Sequence, residues 1–182
     1  MTIEFRRMQD GDMGAILRIQ AANYVGNLTP EGRARGFLSA VYTPDELNEM
    51  ANDAAVMVAA EDGRVIAFVC AYSAAFGARF PIVARMIARF GEADFEGRPL
   101  SERSMLIYGP VAVDRRAQGH GAARGMFEQL KREMKGRFDA GAALIAEDNT
   151  HSRYIHTQRF VMSPVGDFEH QGKRFTIVAF AI

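Results

Sequence analysis

Hydrophobic and polar positions along the chain follow two different periods. The runs AAVMVAA and VIAFVCAYS are nearly continuous in apolar residues, and Glu61-Asp62-Gly63-Arg64 between them predicts a β-hairpin. A second hairpin is predicted around Gln171-Gly172. The segments TIEFRRM, SMLIYGPVAV and GAALIAE predict three more strands. Because Pro110 has no N–H, we expect the ladder to be interrupted at Gly109-Pro110.

Other segments have helical periodicity. Residues 119–135 give the best helix, with an apolar stripe formed by Ala123, Met126, Phe127, Leu130 and Met134. Thr43 and Glu46 in TPDEL form a capping box that predicts a helix start. Asp10 is expected to cap the first helix, and Asn149 to open a short helix in NTHSRYIHTQ.

The order of these elements defines the fold class. It is β-α-α-β-β, then an irregular insert over residues 76–101, then β-α-β-α-β-β. Such an order predicts an α/β (α+β) fold with a mixed, mostly antiparallel sheet flanked by helices. A chain of 182 residues without an internal repeat or linker predicts a single domain, residues 1–182.

Composition removes several classes of function. The 22 basic and 22 acidic residues cancel, which argues against a general nucleic-acid binder. The single cysteine, Cys70, excludes an intrachain disulfide and is expected in the core. No apolar run approaches the roughly 18 residues of a membrane span, and no signal peptide is evident, so we expect a cytoplasmic protein. The 4 histidines lack metal-ligand spacing, and no metal is predicted.

The segment QGHGAAR lies where a strand leads into the best helix. No P-loop pattern is present, and a dinucleotide fingerprint would need a small residue at Arg124. Gln118, Gly121 and Ala123 fit Gln-x-x-Gly-x-Ala, in which small residues let an anion such as a pyrophosphate approach the helix start. An Arg116 register, Arg-x-x-Gly-x-Gly, also fits. The alternative that the glycines serve only a tight turn stays open.

Two segments carry a resemblance to a known family. VAVDRRAQGHGAARGMFEQL resembles the acetyl-CoA-binding motif of the GCN5-related N-acetyltransferases (GNAT). AEDNTHSRYIHTQRF resembles the family's next strand and helix through Asn149, Ser152 and His156. The element order agrees over essentially the whole chain. In two respects the sequence departs from the family: Arg159 stands where a glycine is frequent, and His156 where a tyrosine is frequent.

The resemblance implies a GNAT-like acyl-CoA N-acyltransferase fold, whose core acetyl-CoA-binding part covers about residues 104–160. It also implies acetyl-CoA as cosubstrate, with its pantetheine arm bound by backbone groups of the strand before the loop. The implied cofactor-binding residues are Val111, Val113, Gln118, Gly119, His120, Gly121, Ala122, Ala123, Arg124, Asn149 and Ser152. His120 is expected to contribute its N–H rather than its ring.

Acetyl transfer to an amine needs a proton acceptor for the amine and a proton donor for the departing thiolate. Glu147, at a strand end, is the first candidate base, acting through water, and Tyr108 is the second. The resemblance places His156 as the proton donor, with Tyr154 as a fallback donor.

The leading hypothesis is an acetyl-CoA-dependent N-acetyltransferase acting by direct transfer on a primary amine of a small molecule or peptide. No activated cysteine or serine suggests a covalent intermediate. One alternative is a non-catalytic sensor that binds CoA or acyl-CoA, and another is a nucleotide-binding protein. No nucleic-acid or membrane partner is expected, a homodimer is left open, and the acceptor cannot be read from the residues.

Overall fold

The computed structural model describes residues 2–182. Over these residues the strands are β1 (Ile3–Arg7), β2 (Ala55–Glu61), β3 (Arg64–Ser73), β4 (Asp94–Phe95), β5 (Arg98–Pro99), β6 (Met105–Val113), β7 (Ala140–Ala146), β8 (Ser163–His170) and β9 (Lys173–Ala181). The α-helices are α1 (Met13–Asn23), α2 (Pro30–Arg33), α3 (Pro44–Asp53), α4 (Ala74–Gly77), α5 (Pro81–Ile87), α6 (Ala122–Met134) and α7 (Thr150–Tyr154). A π-helical segment, Ile155–Arg159, directly follows α7.

Seven strands form one sheet in the order β1-β2-β3-β6-β7-β9-β8, and β4 and β5 form a separate hairpin. The pairs β1–β2, β2–β3, β7–β9 and β8–β9 are antiparallel, whereas β6 and β7 are parallel. The mixed, mostly antiparallel sheet flanked by helices is therefore confirmed, and so is the predicted element order except for the short helix α2, which was not predicted. Within residues 2–182, no helix combines the length and the apolar character that crossing a membrane requires.

Both predicted hairpins are present, each with a two-residue turn. Positive φ occurs at Asp62 (50°) and Gly63 (78°), and again at Gln171 (50°) and Gly172 (72°). Two consecutive positive φ values define the turn whose twist matches that of paired strands, and glycine meets this demand at the second position without strain.

The chain divides into two compact units. The first comprises the chain up to Ala71 together with Gly109–Glu133. In it α3 begins with the predicted capping box, since the N–H of Glu46 donates to Thr43 Oγ1 at 3.3 Å and the N–H of Thr43 to Glu46 Oε2 at 2.8 Å. Leu47 and Met50 of α3 have no exposed surface and lie on the face that packs against β2.

Close packing also joins β1 to α6 in the first unit. A Cβ on Gly125 would lie 2.0 Å from Phe5 Cζ, so only glycine fits under this ring. Arg7 Nε donates to Glu133 Oε2 at 2.7 Å and adds a polar contact between the same two elements. The helical stripe prediction did not single out Gly125, because glycine carries no hydrophobic signal.

The predicted cap at Asp10 is wrong. A 3₁₀ turn, Asp10–Asp12, precedes α1, and the buried carboxylate is that of Asp12. It accepts the N–H of Gln9 at 2.8 Å and pairs with Arg6, whose Nη1 lies 2.5 Å from Asp12 Oδ2. The hydrogen bond from Arg6 lowers the pKa of Asp12. Because Arg6 on β1 pairs with Asp12, the carboxylate that is buried at this turn is that of Asp12 and not that of Asp10.

The second unit comprises Tyr72–Tyr108 and Met134–Ile182. It holds the β7-β9-β8 ladder, with α5 packing against β8 and α7 against β7. An aromatic cluster links the end of β3 to the start of the insert. The Tyr72 ring centroid lies 5.7 Å from that of Phe76 and 5.8 Å from that of Phe80. Two short helices, α4 and α5, and the small β4–β5 hairpin form this part of the chain.

Candidate active site

Asp114 fixes the start of the glycine loop in the first unit. Its N–H donates to the Ile66 carbonyl at 2.7 Å. Its side-chain Oδ1 accepts the N–H of Arg116 at 3.0 Å, and its carbonyl accepts that of Ala117 at 2.8 Å. Sequence analysis missed this residue, although an aspartate bonding to the backbone two residues on is a frequent turn signal.

The two glycines of the loop adopt left-handed backbone conformations, with φ of 90° at Gly119 and 84° at Gly121. A Cβ at either position would meet nothing within 4 Å. Glycine is therefore required by the backbone conformation and not by neighbouring protein atoms. The turn explanation accounts for the φ values, and the open surroundings leave room for a ligand.

Helix α6 begins at Ala122, directly after Gly121, so the Arg116 register ends just before the helix, whereas the Gln118 register ends at Ala123 in its first turn. The N–H of Gly125 donates to the Gly121 carbonyl at 3.0 Å as the first helical bond. The N–H groups of Ala122 and Ala123 come earlier in the first turn, where an α-helix provides no acceptor. The helix dipole favours an anion there, and the exposed side chain of Arg124 adds a positive charge.

His120 takes part in the internal bonding of the loop. Its N–H donates to the Ala117 carbonyl at 3.3 Å, so this group serves the turn. Its ring Nδ1 lies 3.8 Å from Glu61 Oε1 on β2. These contacts position His120 as a part of the loop framework.

Two side chains that sequence analysis missed hold the end of β6 and the loop to the early helices. Buried Asn23 at the end of α1 donates through Nδ2 to the Val113 carbonyl at 3.2 Å and to the Ile19 carbonyl at 2.8 Å. Arg115 donates through Nε to the Ala22 carbonyl at 3.3 Å. The Val113 carbonyl, one of the backbone groups implied to bind pantetheine, thus already has a partner.

In the second unit, β6 and β7 form a parallel ladder that pairs Met105, Leu106 and Ile107 with Ala140, Gly141 and Ala142. Gly109 has a φ of 116°, and Pro110 lacks an N–H for a ladder bond. Both features fit the interruption predicted at these two residues, which stays a prediction.

In the second unit β7 leads into α7. Asn149 is buried, and its Oδ1 accepts the N–H of Ser152 at 3.3 Å, which confirms the predicted cap. The Glu147 side chain is exposed, and its N–H donates to the Arg174 carbonyl at 3.0 Å. This helix start therefore uses a side chain of its own to satisfy a backbone donor.

His156 is buried, with 5% of its surface exposed. Its Nδ1 lies 2.7 Å from the Ser152 carbonyl oxygen and 3.2 Å from Ser152 Oγ. Burial lowers the pKa of His156, and the bond to the Ser152 backbone opposes this shift. Its ring meets those of Tyr108 and Phe160 edge-on, with centroid distances of 5.8 Å and 5.4 Å. Four contacts with three residues thus fix the orientation of the imidazole.

Tyr108 and Tyr154 differ sharply in environment. Tyr108 is 3% exposed, and burial raises the pKa of its phenol. Tyr154 is 50% exposed, with the Arg159 guanidinium 5.7 Å from its ring centroid. The π-helical segment that begins after Tyr154 changes the register, and the N–H of Phe160 donates to the Ile155 carbonyl five residues back at 3.0 Å. The expectation that Tyr154 and His156 lie on different helix faces agrees with their burial.

The sequence profile of the Acetyltransferase (GNAT) family matches residues 27–160. The chain therefore belongs to this family and is an enzyme of the N-acetyltransferase class. The resemblance stated from its motifs is confirmed. A search of curated proteins found no match to the sequence.

Solved structures share the fold at low sequence identity. An N-acetyltransferase from Staphylococcus aureus Mu50 has a TM-score of 0.64 at 19% identity, covering 100% of this chain and 99% of its own. A ribosomal-protein-alanine N-acetyltransferase from Brucella melitensis has a TM-score of 0.64 at 17% identity, covering 98% and 99%. The protein yncA from Salmonella typhimurium, solved with its cofactor acetyl-CoA, has a TM-score of 0.64 at 16% identity, covering 100% and 94%.

Proposed function

We propose that this enzyme transfers the acetyl group of acetyl-CoA directly to a primary amine of a small molecule or peptide. The observation that carries the proposal is the start of α6. There two left-handed glycines lead into a helix, and Gly121, the residue before it, has no side chain that could accept the first N–H groups. Such a start favours a phosphate group, and CoA carries a pyrophosphate.

The cosubstrate is assigned to the glycine loop and to β6. We assign its pyrophosphate to the N–H groups of the segment Gln118–Arg124 other than that of His120, which donates to the Ala117 carbonyl. The pantetheine arm is assigned to backbone groups of Val111 and Val113 and to Asn149 and Ser152. Support comes from yncA of Salmonella typhimurium, which shares the fold and was solved with acetyl-CoA. Because the Val113 carbonyl already accepts a hydrogen bond from Asn23, we assign the N–H of Val113 to the contact with pantetheine.

Three side chains are assigned to the chemistry. His156 is the proton donor to the departing thiolate, because its ring is held by the Ser152 carbonyl and an imidazole can titrate. Glu147 is exposed and could take the amine proton through water. The raised pKa of Tyr108 keeps its phenol protonated near neutral pH, so it suits a hydrogen-bond donor better than a base.

The test is turnover with acetyl-CoA and a broad panel of primary amines, small molecules and peptides, read out as free CoA thiol. Thiol release that depends on one amine supports the proposal. Binding of acetyl-CoA with no thiol release from any amine would favour the sensor alternative. Protection of the fold by ATP or NAD, but not by CoA, would favour a nucleotide-binding protein.

A further inference from the structure

We propose that His156 serves as both base and acid in this reaction: its Nε2 takes the proton from the acceptor amine and passes the same proton to the sulfur of CoA. This inference rests on the proposed acetyl transfer and assigns the proton path within it. It makes a separate carboxylate base unnecessary.

The tautomer of His156 follows from its hydrogen bond. A carbonyl oxygen can only accept, so the 2.7 Å contact between Nδ1 and the Ser152 oxygen requires a hydrogen on Nδ1. In the neutral ring Nε2 then carries the lone pair. The hydrogen bonds described for the His156 ring within residues 2–182 both use Nδ1. The atom left for exchange is thus a proton acceptor at the start of each turnover.

The surroundings of His156 also favour a neutral imidazole that becomes an imidazolium only during the reaction. The neighbouring rings of Tyr108 and Phe160 are uncharged near neutral pH and place no carboxylate against the imidazole. Burial lowers the pKa of His156, which keeps Nε2 free of its proton before the reaction. The Ser152 carbonyl stabilises the imidazolium once it forms, because Nδ1–H donates to it in both states.

The proton balance of the reaction closes with one residue. Nε2 removes a proton from the ammonium form of the acceptor, and the freed nitrogen lone pair forms the bond to the acetyl carbon. The carbon–sulfur bond breaks, and its electron pair leaves on sulfur. The imidazolium gives its proton to that sulfur, and the second proton of the original amine is lost to water as the amide forms. His156 ends the cycle neutral.

The test compares His156→Gln with wild type on two acceptors. One is the amine of the panel with the highest turnover, and the other is its analogue with fluorine on the neighbouring carbon, whose ammonium is far more acidic. With the first amine we expect kcat to fall about 10²–10⁴-fold, while the acetyl-CoA Kd stays within about threefold. With the fluorinated amine we expect a smaller loss that still exceeds about tenfold, because only the donor role remains necessary.

Other outcomes would overturn the inference. An equal loss with both amines would mean that His156 is only an acid, and no loss with the fluorinated amine would mean that it is only a base. A loss in Glu147→Gln as large as that in His156→Gln would assign the base to Glu147. Exposed His151 in α7, directly before the π-helical segment that holds His156, is the matched control, and His151→Gln is expected to leave kcat within about twofold.

A measurement on the resting protein tests the tautomer without any turnover. Nitrogen-15 NMR of the histidine rings should show His156 with its proton on Nδ1 and a bare Nε2 near neutral pH. A proton on Nε2 instead would exclude the base role even if the enzyme is active. If wild type shows the expected tautomer but no amine supports thiol release, the proposed acetyl transfer has failed and the ring geometry has not.

Discussion

The chain has two helix starts that follow strands of the same sheet, and they satisfy their backbone donors in opposite ways. At α6 the residue before the helix is Gly121, which has no side chain to accept an N–H. At α7 that residue is Asn149, and its side chain accepts the N–H of Ser152. Gly121 is exposed and Asn149 is buried.

The difference separates a helix start capped by a side chain of the protein from one whose preceding residue has no side chain. Asn149 stabilises α7 from within the protein, as a capping side chain normally does. The first turn of α6 presents donors and a positive helix dipole to whatever anion approaches. We therefore expect changes at the start of α6 to act on acetyl-CoA affinity, and changes in the helical segment after Asn149 to act on stability and on kcat.

The largest expected effect concerns kcat. His156→Phe should lower kcat by about 10²–10⁴-fold and leave the acetyl-CoA Kd nearly unchanged. Tyr154→Phe is the comparison variant, because Tyr154 is half exposed in the same helical segment. Steady-state kinetics and calorimetric titration measure the two quantities. A loss of turnover in Tyr154→Phe but not in His156→Phe would move the proton donor to Tyr154.

The next effect is stabilisation by the ligand. Acetyl-CoA at a hundred times its Kd should stabilise the fold by about 2.7 kcal/mol, which raises Tm by about 5–11 °C for a chain of this length. Pantetheine, which lacks the pyrophosphate, should raise Tm far less at the same concentration. Thermal unfolding with each compound checks this. An equal rise in Tm with pantetheine would contradict the assignment of the pyrophosphate to the start of α6.

A substitution at Gly121 should reduce acetyl-CoA affinity by about tenfold or more, equivalent to about 1.4 kcal/mol. Because φ is 84° there, Gly121→Val also strains the backbone. Gly136, beyond the other end of α6, has a φ of 81° and equally empty surroundings. Gly136→Val should therefore lose a similar stability of about 1–2 kcal/mol without losing affinity.

Titration of acetyl-CoA into both glycine variants, with circular dichroism as the check on folding, separates strain from ligand contact. If Gly121→Val and Gly136→Val lose stability equally and both retain affinity, the glycines before α6 serve only the turn. The two helix starts would then differ in how they are capped but not in ligand binding.

The smallest effect tests the cap of α7. Asn149→Ala should destabilise the protein by about 1 kcal/mol, because the N–H of Ser152 loses its acceptor. Asn149→Ser retains an acceptor, so its free energy of unfolding should fall by only about 0.3 kcal/mol. Chemical denaturation of the two variants measures the difference. Equal destabilisation by both would show that the amide of Asn149 matters for something other than the cap.

Much of the fold could be predicted from local signals. Hairpin turns at Gly63 and Gly172, the capping box at Thr43 and the stripe of α6 depend on residues close together in sequence, and all are present. The prediction failed at Asp10, because Asp10 and Asp12 have equal local propensity. The pairing of Asp12 with Arg6 on β1 and the hydrogen bond from the Gln9 N–H distinguish them.

The candidate site shows the same division. The chain itself determined a glycine-containing strand-to-helix junction, an asparagine that opens the next helix, and a histidine seven residues after that asparagine. These are patterns of residue type and spacing, and elementary backbone chemistry gives them meaning.

Only the tertiary structure decided how these residues are held. It engaged the Val113 carbonyl with Asn23, fixed the loop through Asp114, and turned Nδ1 of His156 onto the Ser152 carbonyl. Burial, which lowers the pKa of His156 and raises that of Tyr108, is likewise set by packing among residues distant in sequence. Spacing fixes which residue types recur along one element, but hydrogen-bond partners and desolvation depend on the elements that pack against it.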